Sequence, residues 1–385
     1  MAADNQDVTI TAQCLCKAHT FNTQVPQSKL PLQGWMCHCT SCRNLTGAMY
    51  TSGIVWPGLS DEIINSGLKT YVFTSAINLL FCGACSSPMF ATKNYPDKSP
   101  YITVRTGVLN NNVKDLIKFT DQIFVGDTED GGVSPWLQHV NQDGEKPRLW
   151  KGRDQISEEL NEDWSAGKEI SPTESARRND IPIQCRCKGI DFMFRPSNAD
   201  FSSDSVPFYI DPTSHKHFAT LDPCRSCRLS VGTDIMSWTF ALLKQIDFAS
   251  TSDTPFPRDT LELKEAVDKA DRDARFGTLA IYRSSPDVQR YFCSHCSATV
   301  FYTVDDRPDV IDVSVGLLHS PEGSRAEGIL AWHLGAKGMG EEEYEGSWRG
   351  GFAKSVKDAS ERWRVEKGYP KTWARRASEG AQTQS

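Results

Sequence analysis

A chain of 385 residues is too long for one ordinary core and suits two domains of common size. With 39% hydrophobic and 24% charged residues it can build packed cores under a wet surface, and its net charge of -7 argues against a general affinity for nucleic-acid backbones. Residues 1–7 carry no basic region ahead of an apolar run, and no apolar stretch is long enough to span a bilayer, so we expect no membrane partner and a cytoplasmic or nuclear location.

The first half opens on a β-prone run at 8–13 that leads into Cys14-Leu15-Cys16. Then comes Cys37-His38-Cys39-Thr40-Ser41-Cys42-Arg43, followed by β-prone runs at 50–56, 68–74 and 79–81 that feed Cys82-Gly83-Ala84-Cys85. Residues 89–92 and 101–109 predict further strands. The polar stretch 151–180 reads as a linker pinned by Trp164, with a short helix expected over 157–162. The second half repeats the order: Cys185-Arg186-Cys187, then Cys224-Arg225-Ser226-Cys227-Arg228, then Cys293-Ser294-His295-Cys296. Val315-Gly316-Leu317-Leu318 stands where Thr106-Gly107-Val108-Leu109 stands in the first half. This is an internal duplication. The second copy carries insertions around 197–218 and a charged helix over 261–270, with Leu261, Ala266 and Val267 expected inward. The basic stretch 355–376 predicts a solvated helix, and 377–385 a disordered end.

In a reducing compartment, 13 cysteines at short spacings read as metal ligands rather than disulfides. Two short-spaced pairs far apart in sequence make a closed tetrahedral site, because each pair comes from one tight turn and the metal clasps the turns together. Cys14, Cys16, Cys82 and Cys85 form one such set, and Cys185, Cys187, Cys293 and Cys296 another. Cys37, Cys39 and Cys42 then have no cysteine left to complete them. Their fourth ligand is water, His38 or an acid from elsewhere, or an incoming thiol, and a second closed site with an unrecognised ligand stays open. In the second half the matching trio is Asp222, Cys224 and Cys227, where a carboxylate replaces a thiolate and makes metal binding doubtful. His38 and His295 are expected at exposed turns without a role. Arg43 and Arg228 either hold a carboxylate of a ligand or balance thiolate charge.

This pattern, with Gly47 after the central stretch, Gln122-Ile123-Phe124-Val125-Gly126-Asp127 and Trp136, resembles the glutathione-dependent formaldehyde-activating enzyme family, also called centromere-protein-V-like. The resemblance implies an all-β fold of two tandem Mss4-like (β-tent) zinc domains at 8–150 and 181–350, joined by the 151–180 linker and ending in a helical tail at 351–385. It implies two zinc ions in the complete first domain: a structural one on the outer cysteine pairs, and an exchangeable one on Cys37, Cys39 and Cys42 near a glutathione site that Arg43 would line. The implied activity is that of a carbon-sulfur lyase acting on an adduct of a thiol such as glutathione and a small carbonyl, with the first domain active. The alternative is a non-catalytic tandem zinc-binding module for protein interaction. The two copies could also pack as an intramolecular pseudo-dimer.

Overall fold

Val8, Ile10 and Ala12 alternate with polar residues along β1 (Asp7–Gln13), the two-residue period of a strand that covers one apolar face. It pairs with β2 (Thr20–Pro26) through the turn that carries Cys14 and Cys16. The computed structural model describes residues 6–96, 99–110, 113–166, 175–177, 179–196, 206–250, 254–336, 344 and 347–382.

Two large sheets follow one plan. In the first half, β3 (Leu32–Cys37), β4 (Thr51–Val55), β5 (Lys69–Thr74), β6 (Ile77–Phe81), β7 (Pro88–Lys93), β8 (Tyr101–Arg105) and β9 (Ile117–Ile123) lie in the order β9-β3-β4-β8-β7-β6-β5. β10 (Arg148–Trp150) and β11 (Glu159–Leu160) extend that sheet beyond β9. In the second half, β12 (Ile181–Gln184) and β13 (Asp191–Phe194) repeat the opening hairpin. The strands β14 (His217–Asp222), β15 (Met236–Leu242), β17 (Leu279–Ser285), β18 (Val288–Cys293), β19 (Thr299–Val304), β20 (Val310–Ser314) and β21 (Leu330–Trp332) take the order β21-β14-β15-β20-β19-β18-β17. The short β16 (Ile246–Phe248) joins β13. In each sheet the same neighbours are parallel, β3 with β9 and β14 with β21. The strand order is thus duplicated as the cysteine order is. No helix among the described residues is long and apolar enough to cross a membrane.

Short helices α1 (Thr40–Thr46) and α3 (Arg225–Val231) follow β3 and β14, with α2 (Ser60–Ile64) between them in the chain, and α1 and α3 each end on a glycine in the left-handed region, Gly47 (φ 85°) and Gly232 (φ 71°). These glycines are where the halves meet. Gly316 N–H donates to the Gly47 carbonyl at 2.9 Å, and Gly107 N–H donates to the Gly232 carbonyl at 3.1 Å. The strand expected over 101–109 therefore stops at Arg105, and Thr106–Val108 forms a 3-10 turn whose backbone bonds across the halves instead of along a sheet. Val315–Leu317 does the same in return. Beside this junction the buried Arg349 Nε donates to Asp234 Oδ1 at 3.1 Å, while Thr106 Oγ1 donates to Asp234 Oδ2 at 2.6 Å.

Other expectations change for local reasons. The helix expected over 157–162 is instead the strand β11, because Leu160 reaches a buried cluster with Val125 and Leu149 that a helix lying on the surface would not fill. Trp164 packs against that cluster, so the stretch is pinned as expected; 167–174 and 178 lie outside the described residues. In the second-half insertion, 197–205 lie outside them too. Helix α4 (Thr260–Asp268), capped by Asp259, turns Val267 inward and packs Ala266 against the core as expected, but it buries Thr260 and Leu263 in place of Leu261, which is 52% exposed.

The tail differs most. α5 (Trp348–Glu366) is not a solvated helix: Trp348, Phe352, Val356, Ala359 and Trp363 form a helical stripe buried in the core, with Trp363 edge-on to Trp136 at 5.6 Å. α6 (Trp373–Gln382), tied by Arg375 to Glu361 of α5 at 2.6 Å, continues through residues 377–382 of the end expected to be disordered, while 383–385 lie outside the described residues.

Candidate metal centre

The described cysteines fall into the expected clusters, each with its ligand atoms within 4.8 Å of one another. In the first four-cysteine set, Cys16 Sγ lies 3.6 Å from both Cys14 and Cys82 Sγ; in the second, Cys187 Sγ lies 3.5 Å from both Cys185 and Cys293. Four thiolates at about 2.3 Å from a tetrahedral zinc would stand about 3.8 Å apart, so both sets have the dimensions of a closed site. Backbone donors already point at the sulfurs: His19 N–H to Cys14 at 3.3 Å, and Ile190 N–H to Cys185 at 3.3 Å. The left-handed residues Lys17, Ser86, Lys188 and Ser297 fold these turns tightly enough for that.

The central trio is assembled by the end of β3 and the start of α1. Cys37 is the last residue of the strand; Cys39 caps the helix, its Sγ accepting from the Cys42 N–H at 3.3 Å; Cys42 follows within the first turn. The neighbouring thiols of Cys37 and Cys42 donate to Cys39 and pull it down to about 3, while the hydrogen bond to Cys39 holds Cys37 well above its usual value.

His38 is not exposed. Its ring is fully buried, Nε2 meets Gln122 Oε1 at 2.9 Å, the ring stacks on Tyr50 at 6.0 Å, and burial lowers its pKa to about 4. His295, by contrast, sits at an exposed turn, edge-on to Tyr71 of the first half at 5.3 Å. Arg43 donates to the His38 carbonyl at 2.5 Å and to Thr40 Oγ1 at 3.3 Å, which staples the Cys37–Cys42 turn from within. Arg228 instead donates to the Gly107 and Leu109 carbonyls of the first half. Gln122 and Asp127, from the segment singled out in sequence, both reach the trio: Gln122 through His38, and Asp127 Oδ2 by accepting from the Thr40 N–H at 3.4 Å.

Sequence reasoning missed two cations on the same side. Arg105 is 5% exposed; its Nη1 donates to Thr51 Oγ1 at 2.8 Å and its Nε has no partner. Lys93 Nζ lies 4.4 Å from the centre of the Trp35 ring, and burial followed by repulsion from Arg105 lowers it to about 8. Strand register brings them together: Cys37 faces Thr51, Trp35 faces Gly53, Gly53 faces Arg105, and Lys93 faces Tyr101. Gly53 has to be small there, because a Cβ would lie 3.0 Å from the Trp35 ring that crosses it.

The second-half trio is built differently around the same turn. One oxygen of Asp222 is occupied in accepting from the Cys224 N–H at 2.8 Å. Arg290, 6% exposed, donates to Ser226 Oγ at 2.8 Å, approaches Cys227 Sγ at 3.8 Å, and lies 4.8 Å over the Tyr302 ring. A guanidinium thus supplies positive charge beside sulfurs that a metal would otherwise neutralise. Comparing the copies position by position would have flagged Arg290, because Leu79 stands in its place in the first half.

Among curated proteins and among solved structures, no match to this chain is found. Residues 9–127 match the model of the glutathione-dependent formaldehyde-activating enzyme family.

Proposed function

We propose that the first half holds zinc at Cys37, Cys39 and Cys42 and there makes or breaks the carbon-sulfur bond of an adduct between a thiol such as glutathione and a small carbonyl such as formaldehyde. The observation that carries this reading is the missing fourth donor. Among the described residues, no further cysteine, histidine or carboxylate joins the trio, and His38 is turned away to Gln122. A zinc ion with an open position lowers the pKa of a bound thiol and polarises a carbonyl oxygen. In the joining direction the sulfur lone pair forms the carbon-sulfur bond, the carbonyl π bond breaks, and the oxygen takes the proton that the thiol gave up. The reverse direction retraces those steps, and neither needs an oxidant. The protein's contribution is position: β3 and α1 hold the three sulfurs, and Arg43 keeps their turn closed. The family match over 9–127 supports this chemistry.

In the same reading, the two four-cysteine sets are structural zinc sites whose binding energy is folding energy. The halves, taken as 8–150 and 181–350, are duplicate domains packed as an intramolecular pseudo-dimer, a view supported by their common strand order and reciprocal glycine contacts. Reduced thiols on this scale suit the cytoplasm or nucleus.

The test is exchange spectroscopy of glutathione with formaldehyde, with zinc content measured in parallel. The chain should accelerate formation and decay of S-hydroxymethylglutathione. A Cys39→Ala, Cys42→Ala double variant should lose both the acceleration and the labile zinc while remaining folded. Undiminished acceleration by the variant refutes the role of the trio. No acceleration by the unaltered chain, with every zinc held firmly against glutathione, favours the non-catalytic module.

A further inference from the structure

Lys93 and Arg105 are an awkward pair to leave side by side. Each is a cation largely withdrawn from water, and Arg105 disfavours the charge of Lys93. Neither has an acidic side chain in hydrogen-bond contact among the described residues, and Arg105 Nε is buried with no acceptor at all. The groups that act on Lys93 after burial are Arg105, Cys42, Cys37 and Asp154, in that order, and those acting on Arg105 are Cys42, Cys37 and Cys39. The cations therefore answer to the trio. Arg43 and Asp127 also flank the trio, and Asp154 acts on Lys93, so the group left without a counterpart is the buried Arg105 Nε, a donor for which an incoming anion would supply the acceptor.

The second copy shows what happens without that demand. By strand register, Ser314 stands where Arg105 stands and Val304 where Lys93 stands, and this is the half in which Asp222 replaces Cys37. Both cations and the third thiolate are absent together, and a single guanidinium, Arg290, reaches in from another strand.

We propose that Lys93 and Arg105 are positioning residues that reserve the open side of the Cys37, Cys39 and Cys42 centre for an anionic sulfur, so that the donor binds as thiolate and its charge is what the pair recognises. This rests on the trio holding a metal with an open position, as in the function proposed above. Trp35 gives Lys93 a low-dielectric backing on which its charge is little screened, and Gly53 lets the ring lie flat enough to do so.

The test uses the full chain with cobalt exchanged into the labile site, where a sulfur-to-cobalt charge-transfer band reports each thiolate that joins. The probes are 2-mercaptoethanol, which carries no carboxylate, glutathione, and S-methylglutathione, which has no free thiol. Lys93→Met should weaken both thiols about ten-fold by loss of one nearby charge. Lys93→Arg should restore most of that affinity, and S-methylglutathione should leave the band unchanged in every form. Weakening confined to glutathione would assign Lys93 to a carboxylate and overturn the proposal, as would unchanged affinity for both thiols or no rescue by arginine. If neither thiol alters the band in the unaltered chain, it is the open metal position itself that fails, an outcome distinct from any difference between variants.

Discussion

Gly316→Ala places a methyl group where the second half meets the first. A Cβ at this position would lie 2.2 Å from the Ala48 carbonyl oxygen and 2.6 Å from that of Gly47, backbone atoms that cannot swing aside. Gly316 does not need left-handed backbone, so alanine carries no intrinsic penalty there and the whole effect comes from the contact. Overpacking of this kind costs about 1–3 kcal/mol, and loss of the Gly316 N–H bond to the Gly47 carbonyl adds about 1, giving roughly 2–4 kcal/mol in all. The consequence reaches the metal centre. Gly47 ends α1, and α1 carries Cys42 one turn back and Cys39 at its cap. A second-half substitution should therefore lower the urea midpoint and also speed transfer of the zinc proposed at the first-half trio to a chromophoric chelator. Zinc proposed at the four-cysteine sets should leave only on unfolding. Gly107→Ala, which would meet the Gly232 carbonyl carbon at 2.4 Å, is the reciprocal control and should disturb α3 and the second-half trio instead. An unaltered midpoint, or an unaltered release rate despite a lowered midpoint, would refute the coupling.

Further outcomes can be measured on the same chain. Arg290→Leu removes the guanidinium beside Cys227 and should let the Asp222, Cys224 and Cys227 trio take up metal, read as additional bound zinc by native mass spectrometry; unchanged stoichiometry would mean that Arg290 is not what keeps metal out. Arg349→Met leaves Asp234 buried without its cation and should cost about 3–5 kcal/mol in denaturant unfolding, part of it recovered in the Arg349→Met, Asp234→Leu pair. Glu361 is held down to about 2 by Arg364, with Arg375 of α6 adding to the effect. Because its folded pKa lies below the usual 4.5, that stabilisation is present above pH 4.5 and is lost as pH falls toward 2. After solvent screening it amounts to roughly 1 kcal/mol, visible as acid release of α6 in tryptophan emission and absent in Glu361→Gln.

The cysteine clusters were legible because their logic is local. A Cys-x-Cys or Cys-x-x-Cys pair is one tight turn, and its spacing survives whatever the rest of the chain does. The duplication was legible for the same reason, since each copy keeps its turns in the same order. What could not be read depended on partners distant in sequence. The Thr106-Gly107-Val108-Leu109 run has the composition of a strand, yet its backbone leaves the sheet to bond to Gly232. His38 looks like an exposed turn residue until Gln122 and Tyr50 arrive from other strands. The stripe Trp348, Phe352, Val356, Ala359 and Trp363 keeps helical spacing, but the lysines and arginines around it gave the segment the look of a solvated face.

Charge connects these late-arriving residues to the cysteines. Besides Arg43 in its own turn, the first-half trio faces two cations on neighbouring strands; in the second half Arg228 turns away to Gly107, and a trio reduced by one sulfur faces a single guanidinium from a different strand. Folding alone does not require that correspondence, because Val304 and Ser314 occupy the same register positions as Lys93 and Arg105 without disturbing the sheet. Buried cations are unfavourable unless something negative repays their desolvation. Of these cations Arg105 keeps a buried Nε with no acceptor, and that donor marks the side of the trio from which an anionic ligand would enter.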